Sequence, residues 1–165
     1  MKRGLVRGGL IPLCALAVLF LLIQAIPYGR DHTNPPVRLE PIWDSPQTRE
    51  LAVRACFDCH SNETVWPWYS NIAPLSWLTQ RDVDQGRAEL NFSEWDRPQD
   101  ESEEAAESLR EGEMPPWFYS IPGTNRRLSN LEQATLIRGL EATLGTEEGE
   151  EDDEHGDGDD DGDDD

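Results

Sequence analysis

Charge is spread along this chain so unevenly that only its middle can fold. Of 34 acidic side chains, 14 lie between Glu147 and Asp165, a stretch without Lys or Arg. Like charges at that density repel, and the interspersed glycines offer no apolar surface to collapse around. Residues 146–165 are therefore expected to form a disordered acidic tail, with His155 solvated within it. The other 146 residues hold 20 acids against 14 bases, a net of −6 out of −20, so the body is only mildly acidic. Binding to phosphate backbones needs clustered Lys and Arg. Lys2 is the one lysine, and no nucleic acid partner is expected.

The other end resists folding for the opposite reason. Residues 10–26 carry no charge, with only Gln24 strongly polar, and follow Lys2, Arg3 and Arg7. Seventeen residues at helical rise reach about 25 Å, just short of a hydrocarbon core unless Gly8 and Gly9 extend the span. No pair of small residues precedes a cut near Gln24, Ala25, Ile26 and Pro27, so the segment reads as an uncleaved anchor rather than a signal peptide. The basic segment 1–9 then stays cytoplasmic. The chain is expected to be single-pass in the cytoplasmic (inner) membrane, with all that follows Pro27 in the periplasm or extracytoplasmic space. Cys14 reads as a small apolar residue of that helix, because Leu13 precedes it where a lipidated cysteine would have a small neighbour. Residues 27–45, with Pro35, Pro36 and Pro41, are expected to be an extended spacer lifting a domain off the bilayer.

What remains, residues 46–145, is close to the lower size limit for a self-sufficient core, which leaves room for a bound group to complete it. Its patterning is helical throughout. Ser45-Pro46 is an N-cap with Pro at the first helical position, followed by Leu51, Ala52, Ala55 and Cys56 at helical spacing. A second helix spans residues 75–90 with Trp77, Leu78 and Val83 apolar and Gly86 weakening its middle. Asp100 and Glu103 form a capping-box pattern before Ala105, Ala106 and Leu109, with a stop at Gly112. Ser129 and Glu132 repeat it before a stripe of Leu131, Ala134, Ile137, Leu140 and Leu144, ending at Gly145. No stretch alternates long enough for a strand, so the fold class is all-α.

Chemistry concentrates at Cys56-Phe57-Asp58-Cys59-His60, the attachment signature of a c-type haem. Two thiols about one helical turn apart match the two vinyl groups on one haem edge, and His60 then stands beneath the iron as proximal ligand. The implied cofactor is one covalent haem c. A structural zinc site would need a fourth ligand from Cys14, His32 or His155. A redox dithiol would need a strand–helix–strand setting that this stretch lacks.

An electron carrier needs a second axial ligand. Met114, in Glu113-Met114-Pro115-Pro116, is the candidate distal ligand; it is the one methionine besides Met1, and two prolines stiffen the chain after it. His32 is the alternative, provided the spacer folds back. Trp66, Trp68, Tyr69, Trp77, Trp95 and Trp117 are candidate walls of a haem crevice or plain core. Arg54, Arg126 and Arg127 are candidate propionate partners or ordinary surface charges.

The run from Cys56 through Ser61-Asn62-Glu63-Thr64, Trp66-Pro67-Trp68-Tyr69-Ser70, Ala73-Pro74, Asp82-Val83, Gly86-Arg87 and Leu90-Asn91-Phe92-Ser93-Glu94-Trp95 resembles the bacterial haem-binding domain family of small monohaem c-type cytochromes. Met114-Pro115-Pro116 and Leu128-Ser129 through Glu132 fit too, and the likeness covers roughly residues 27–144. The resemblance implies a cytochrome c-like helical domain that is exported before haem attachment. The acidic tail is outside that pattern. The expected function is single-electron transfer between unidentified redox partner proteins, without enzymatic turnover or a small-molecule substrate. The alternative is a haem sensor or peroxidase-like protein with an open iron site.

Overall fold

The computed structural model describes residues 3–119 and 126–145, with side chains from residue 11 onward. The expected acidic tail lies outside the described residues. Among those described, the structure is helical without a named strand, as expected. Its elements are α1 (Arg3–Ile23), α2 (Pro46–Ala55), α3 (Phe57–His60), a 3-10 turn (Trp68–Asn71), α4 (Leu75–Glu89), α5 (Ala105–Glu111) and α6 (Asn130–Leu144). One isolated parallel bridge joins Leu39 to Glu94. The chain divides into two compact units, residues 1–40 with 53–99 and residues 41–52 with 100–165. The span expected as one domain, 46–145, therefore falls into both.

In the first unit, α3 packs on α4, and α4 on the 3-10 turn. Its core is an aromatic stack: the Phe57 and Phe92 rings lie 5.5 Å apart and Phe92 and Trp95 6.2 Å, all nearly parallel. Ala73, Val83 and Leu90 are buried in the same unit. Residues 27–45 form no helix, and Gly29 at φ +76° and His32 at φ +47° turn the chain within the segment expected to be extended, but the segment does not stand free. Arg38 and Leu39 donate their N–H groups to the Ser93 carbonyl at 2.8 and 3.2 Å, and Trp95 N–H donates to the Leu39 carbonyl at 2.9 Å. Asn34 Nδ2 donates to the Thr64 carbonyl and Asn62 Nδ2 to the Pro36 carbonyl. Residues 27–40 of the expected spacer are thus an integral strap of the first unit, because their backbone groups find partners in the loop after α4, and residues 41–45 belong to the second.

In the second unit α5 packs on α6, burying Ala106, Leu109, Leu136 and Leu140. The Ser129–Glu132 capping box forms as expected, with both reciprocal bonds present. The Asp100–Glu103 pattern does not cap: α5 starts at Ala105 behind Glu104, which makes no side-chain cap bond. Gly112 ends α5 at φ +79°, where a side chain would be strained. The first turn of α2 is capped by Ser45 Oγ, which accepts from Thr48 N–H at 3.2 Å. The stripe expected on α6 is rotated. Leu131 is 76% exposed and Ala134 is exposed, whereas Leu136, Gly139 and Leu140 are buried. Gly139 lies inward because a Cβ there would meet Thr48 Oγ1 at 2.1 Å.

The anchor expected over residues 10–26 coincides with the second half of α1 and the turn after it. No helix among the described residues is long and apolar enough to cross a membrane.

Candidate functional site

α2 ends at Ala55, and the chain breaks direction at Cys56 before the short helix α3. Cys56 caps that helix through its carbonyl, which accepts from the N–H groups of Cys59 at 3.1 Å and His60 at 2.9 Å. One turn of helix thus sets Cys59 and His60 over Cys56. Extended backbone at Ser61 then stops it, and Ser61 Oγ donates back to the Phe57 carbonyl at 2.7 Å.

The turn is held against the C-terminal half of α4. Gly86 makes that approach possible, since a Cβ on it would lie 2.7 Å from the Cys59 carbonyl oxygen and 3.1 Å from Cys59 Cβ. The glycine that weakens α4 as a helix is the one that lets α3 close on it. Beyond α4, the Leu90 carbonyl accepts from His60 Nδ1 at 3.1 Å, and Phe92 N–H donates to the His60 carbonyl at 2.9 Å. Burial lowers the His60 pKa more than the Leu90 carbonyl raises it, so the ring is neutral near pH 7. With the proton on Nδ1, Nε2 carries the lone pair that a metal ligand needs.

Both cysteines are free thiols and half-buried. Burial, and then the neighbouring Cys59, pushes the Cys56 thiol up to about 12. An attacking redox thiol needs the opposite shift, which weighs against a dithiol oxidoreductase. No cluster of three or more His, Cys, Asp or Glu among the described residues is arranged to hold a metal ion.

Arg87, next to Gly86, fastens the segment after His60. It donates to the Ser61 carbonyl at 2.8 Å and, at 3.0 Å each, to the Thr33 carbonyl, Asn34 Oδ1 and Thr64 Oγ1. Glu94 receives Asn62 Nδ2 at 3.1 Å and Arg97 Nε at 3.0 Å. The Asn62 bond leads in holding its carboxyl below the ordinary value.

The other expected site residues are distributed as follows. Cys56, Cys59 and His60 come together in the first unit, and Met114 belongs to the second. Met114 is 38% exposed, and its N–H donates to the Ser108 carbonyl at 3.1 Å. His32 does fold back with the strap, but its Nε2 lies 2.9 Å from Ser70 Oγ and its ring stacks on Trp66 at 4.7 Å. Trp68 and Trp117 are largely exposed, whereas Trp66, Trp77 and Trp95 are partly buried. The Arg126 guanidinium lies over the Tyr119 ring at 4.8 Å. Sequence reasoning missed the Leu90 carbonyl, Arg87 and the purpose of Gly86; a glycine amid a helical pattern, 26 residues after His60, was the available signal for the last.

The donor set suits a haem: two thiols one turn apart and an imidazole with its lone pair on Nε2. In addition, Trp77 Nε1 is buried in the same unit without a hydrogen-bond partner among the described residues, a donor suited to a carboxylate. Fold and site together define a small all-α haem-binding domain. The family model described as "Haem-binding domain" matches residues 18–142, most of the chain, and the protein belongs to that family. Neither the curated proteins nor the solved structures contain a match.

Proposed function

We propose that this haem-binding protein is a membrane-tethered monohaem c-type cytochrome that carries single electrons on the extracytoplasmic side. The bond from His60 Nδ1 to the Leu90 carbonyl, one residue beyond the cysteine pair, is the observation that carries this reading. It presets the ring tautomer for iron ligation next to two cysteines one helical turn apart.

In this reading Cys56 and Cys59 hold the haem by thioether bonds and His60 Nε2 is the proximal iron ligand. Met114 supplies the distal ligand, on the chemistry of its thioether and the stiffness that Pro115 and Pro116 lend the segment. Bound haem supplies one-electron chemistry at an iron that alternates between ferrous and ferric states, and methionine ligation favours the ferrous form. The chain's own part is to fix and shield. The Leu90 carbonyl orients His60 and raises its basicity, Gly86 keeps α4 pressed on the attachment turn, and the Phe57–Phe92–Trp95 stack excludes water behind it. With Met114 as well as His60 committed to holding the haem, the protein would act as a carrier and not as an enzyme. The tether is α1, on which Ile11, Leu13, Leu16, Leu21 and Leu22 are each more than 60% exposed. The acidic chain steers basic redox partners, an attraction that salt weakens.

Made in a host that attaches haem to such motifs, the mature protein is expected to weigh its polypeptide plus one haem and to keep a haem stain through a denaturing gel. A polypeptide mass alone overturns the proposal. The wild-type ferrous protein is expected to resist carbon monoxide and Met114→Ala to bind it; ready binding by the wild type would instead mark the open iron of a sensor or peroxidase-like protein.

A further inference from the structure

The end of α1 is locked to the haem-binding unit. Helical winding continues past Ile23 through i→i−3 bonds from the N–H groups of Gln24, Ala25 and Ile26, at 3.1–3.2 Å. The Gln24 side chain then grips the backbone of Ala73 on both sides. Its Nε2 donates to the Ala73 carbonyl at 2.9 Å, and its Oε1 accepts from Ala73 N–H at 3.0 Å. Arg30 donates to the same Oε1 at 3.0 Å. Gly29, at φ +76°, lies so close to α4 that a Cβ there would be 2.2 Å from the Ser76 carbonyl oxygen and 3.1 Å from Gln80 Cβ. No free hinge separates the helix from the domain.

The segment that contains Ala73 differs in charge from the rest of the sequence. Residues 64–80 carry no charged side chain, in a chain of net charge −20. Six large apolar or aromatic side chains there and just after α1 are exposed: Ile26 by 47%, Tyr28 by 50%, Val65 by 68%, Trp68 by 76%, Leu75 by 45% and Leu78 by 52%. On a domain surrounded by water such a patch is a liability. Trp and Tyr, however, favour the headgroup level of a bilayer, where the ring is apolar and its N–H or O–H stays wet.

We propose that this patch rests on the lipid bilayer that receives α1, so that the haem-binding unit lies on the membrane at a fixed tilt instead of swinging on a tether. The inference rests on the membrane-anchor reading above, and continuity with α1 selects lipid as the occupant. The Gln24–Ala73 clamp sets the tilt, and Trp68 and Tyr28 enter the headgroup layer.

The test is hydroxyl-radical footprinting of the full haem-loaded chain in nanodiscs of phosphatidylethanolamine and phosphatidylglycerol, with a tryptophan-containing reporter peptide free in solution. Co-elution with the discs reports insertion of α1. Trp68 is then expected to lose most of the oxidation rate that its exposure would give it in water, relative to the reporter. Gln24→Ala, still co-eluting, is expected to restore much of that rate. If the co-eluting wild type shows Trp68 oxidised as fast as the reporter, the docking proposal is overturned while the anchor stands. A chain that does not co-elute overturns the anchor itself, and the docking with it.

Discussion

Adding one methyl group to Gly86 tests how tightly the attachment turn is held. In Gly86→Ala the new Cβ would sit 2.7 Å from the Cys59 carbonyl oxygen, 3.1 Å from its carbon and 3.1 Å from Cys59 Cβ. All three atoms belong to the backbone or its first carbon, so no side-chain rotation relieves them, and α3 must move off α4. Two effects oppose each other. Alanine improves an interior helical position by about 0.8–1 kcal/mol. Overpacking of this kind costs about 1–3 kcal/mol, and rigid partners place it in the upper part of that range. The net expectation is destabilisation by about 1–2 kcal/mol, a fall in Tm of about 5–15 °C for a domain of this size. Thermal unfolding followed by circular dichroism reads the stability, and haem absorbance per polypeptide reads whether the displaced turn still loads; loading is expected to fall as well. Gly112→Ala is the comparison. A Cβ there meets nothing within 4 Å, but φ is +79°, so about 1–2 kcal/mol of backbone strain is expected with loading unchanged. A Gly86→Ala protein as stable as wild type, with full loading, would refute the close approach.

The other expectations concern the bonds around that turn. Arg87→Lys leaves a point charge where a planar fork reached four acceptors, and a loss of about 2–3 kcal/mol is expected in urea unfolding; an unchanged midpoint contradicts the network. Because Asn62, with Arg97 and Arg38, keeps the Glu94 pKa below its ordinary 4.5, Glu94 stabilises the fold above that pH and the contribution disappears as acid drives the pH through the lowered value. Glu94→Gln should therefore be less stable at neutral pH with a shallower acid limb, and parallel limbs in the two proteins would rule the linkage out. Ser129→Ala removes the α6 capping box and is expected to cost about 1 kcal/mol, read as loss of helical signal on denaturation.

Helices were legible wherever a local signal set their ends. Ser45-Pro46, Ser129 with Glu132 and Gly112 all act at the positions their chemistry indicates. Asp100 with Glu103 carries the same pattern but has no helix in register: the chain turns through residues 100–104 before α5 begins. The face of α6 was misplaced because a search for large apolar residues passes over Gly139. That glycine is buried for lack of a side chain, and its neighbour Thr48 comes from α2, far away in sequence. The strap of residues 27–40 was legible as non-helical but not as bound, since its partners at 62–64 and 93–95 are backbone and amide groups that no spacing rule connects to it.

The candidate site divides along the same line between local and non-local causes. Two cysteines and a histidine on one turn are a five-residue fact, and the turn forms within those residues through the Cys56 carbonyl. What fits the histidine to serve as a metal ligand is not local. Its tautomer depends on the Leu90 carbonyl, thirty residues on, which is free to accept because α4 has ended one residue earlier at Glu89. Had α4 continued unbroken, a Leu90 carbonyl would have been turned to the helix's own i→i+4 ladder and His60 Nδ1 would have lost its acceptor. The length of α4 therefore bears on the chemistry at His60: its Gly86 admits the attachment turn, and its termination at Glu89 releases the carbonyl that orients the ring.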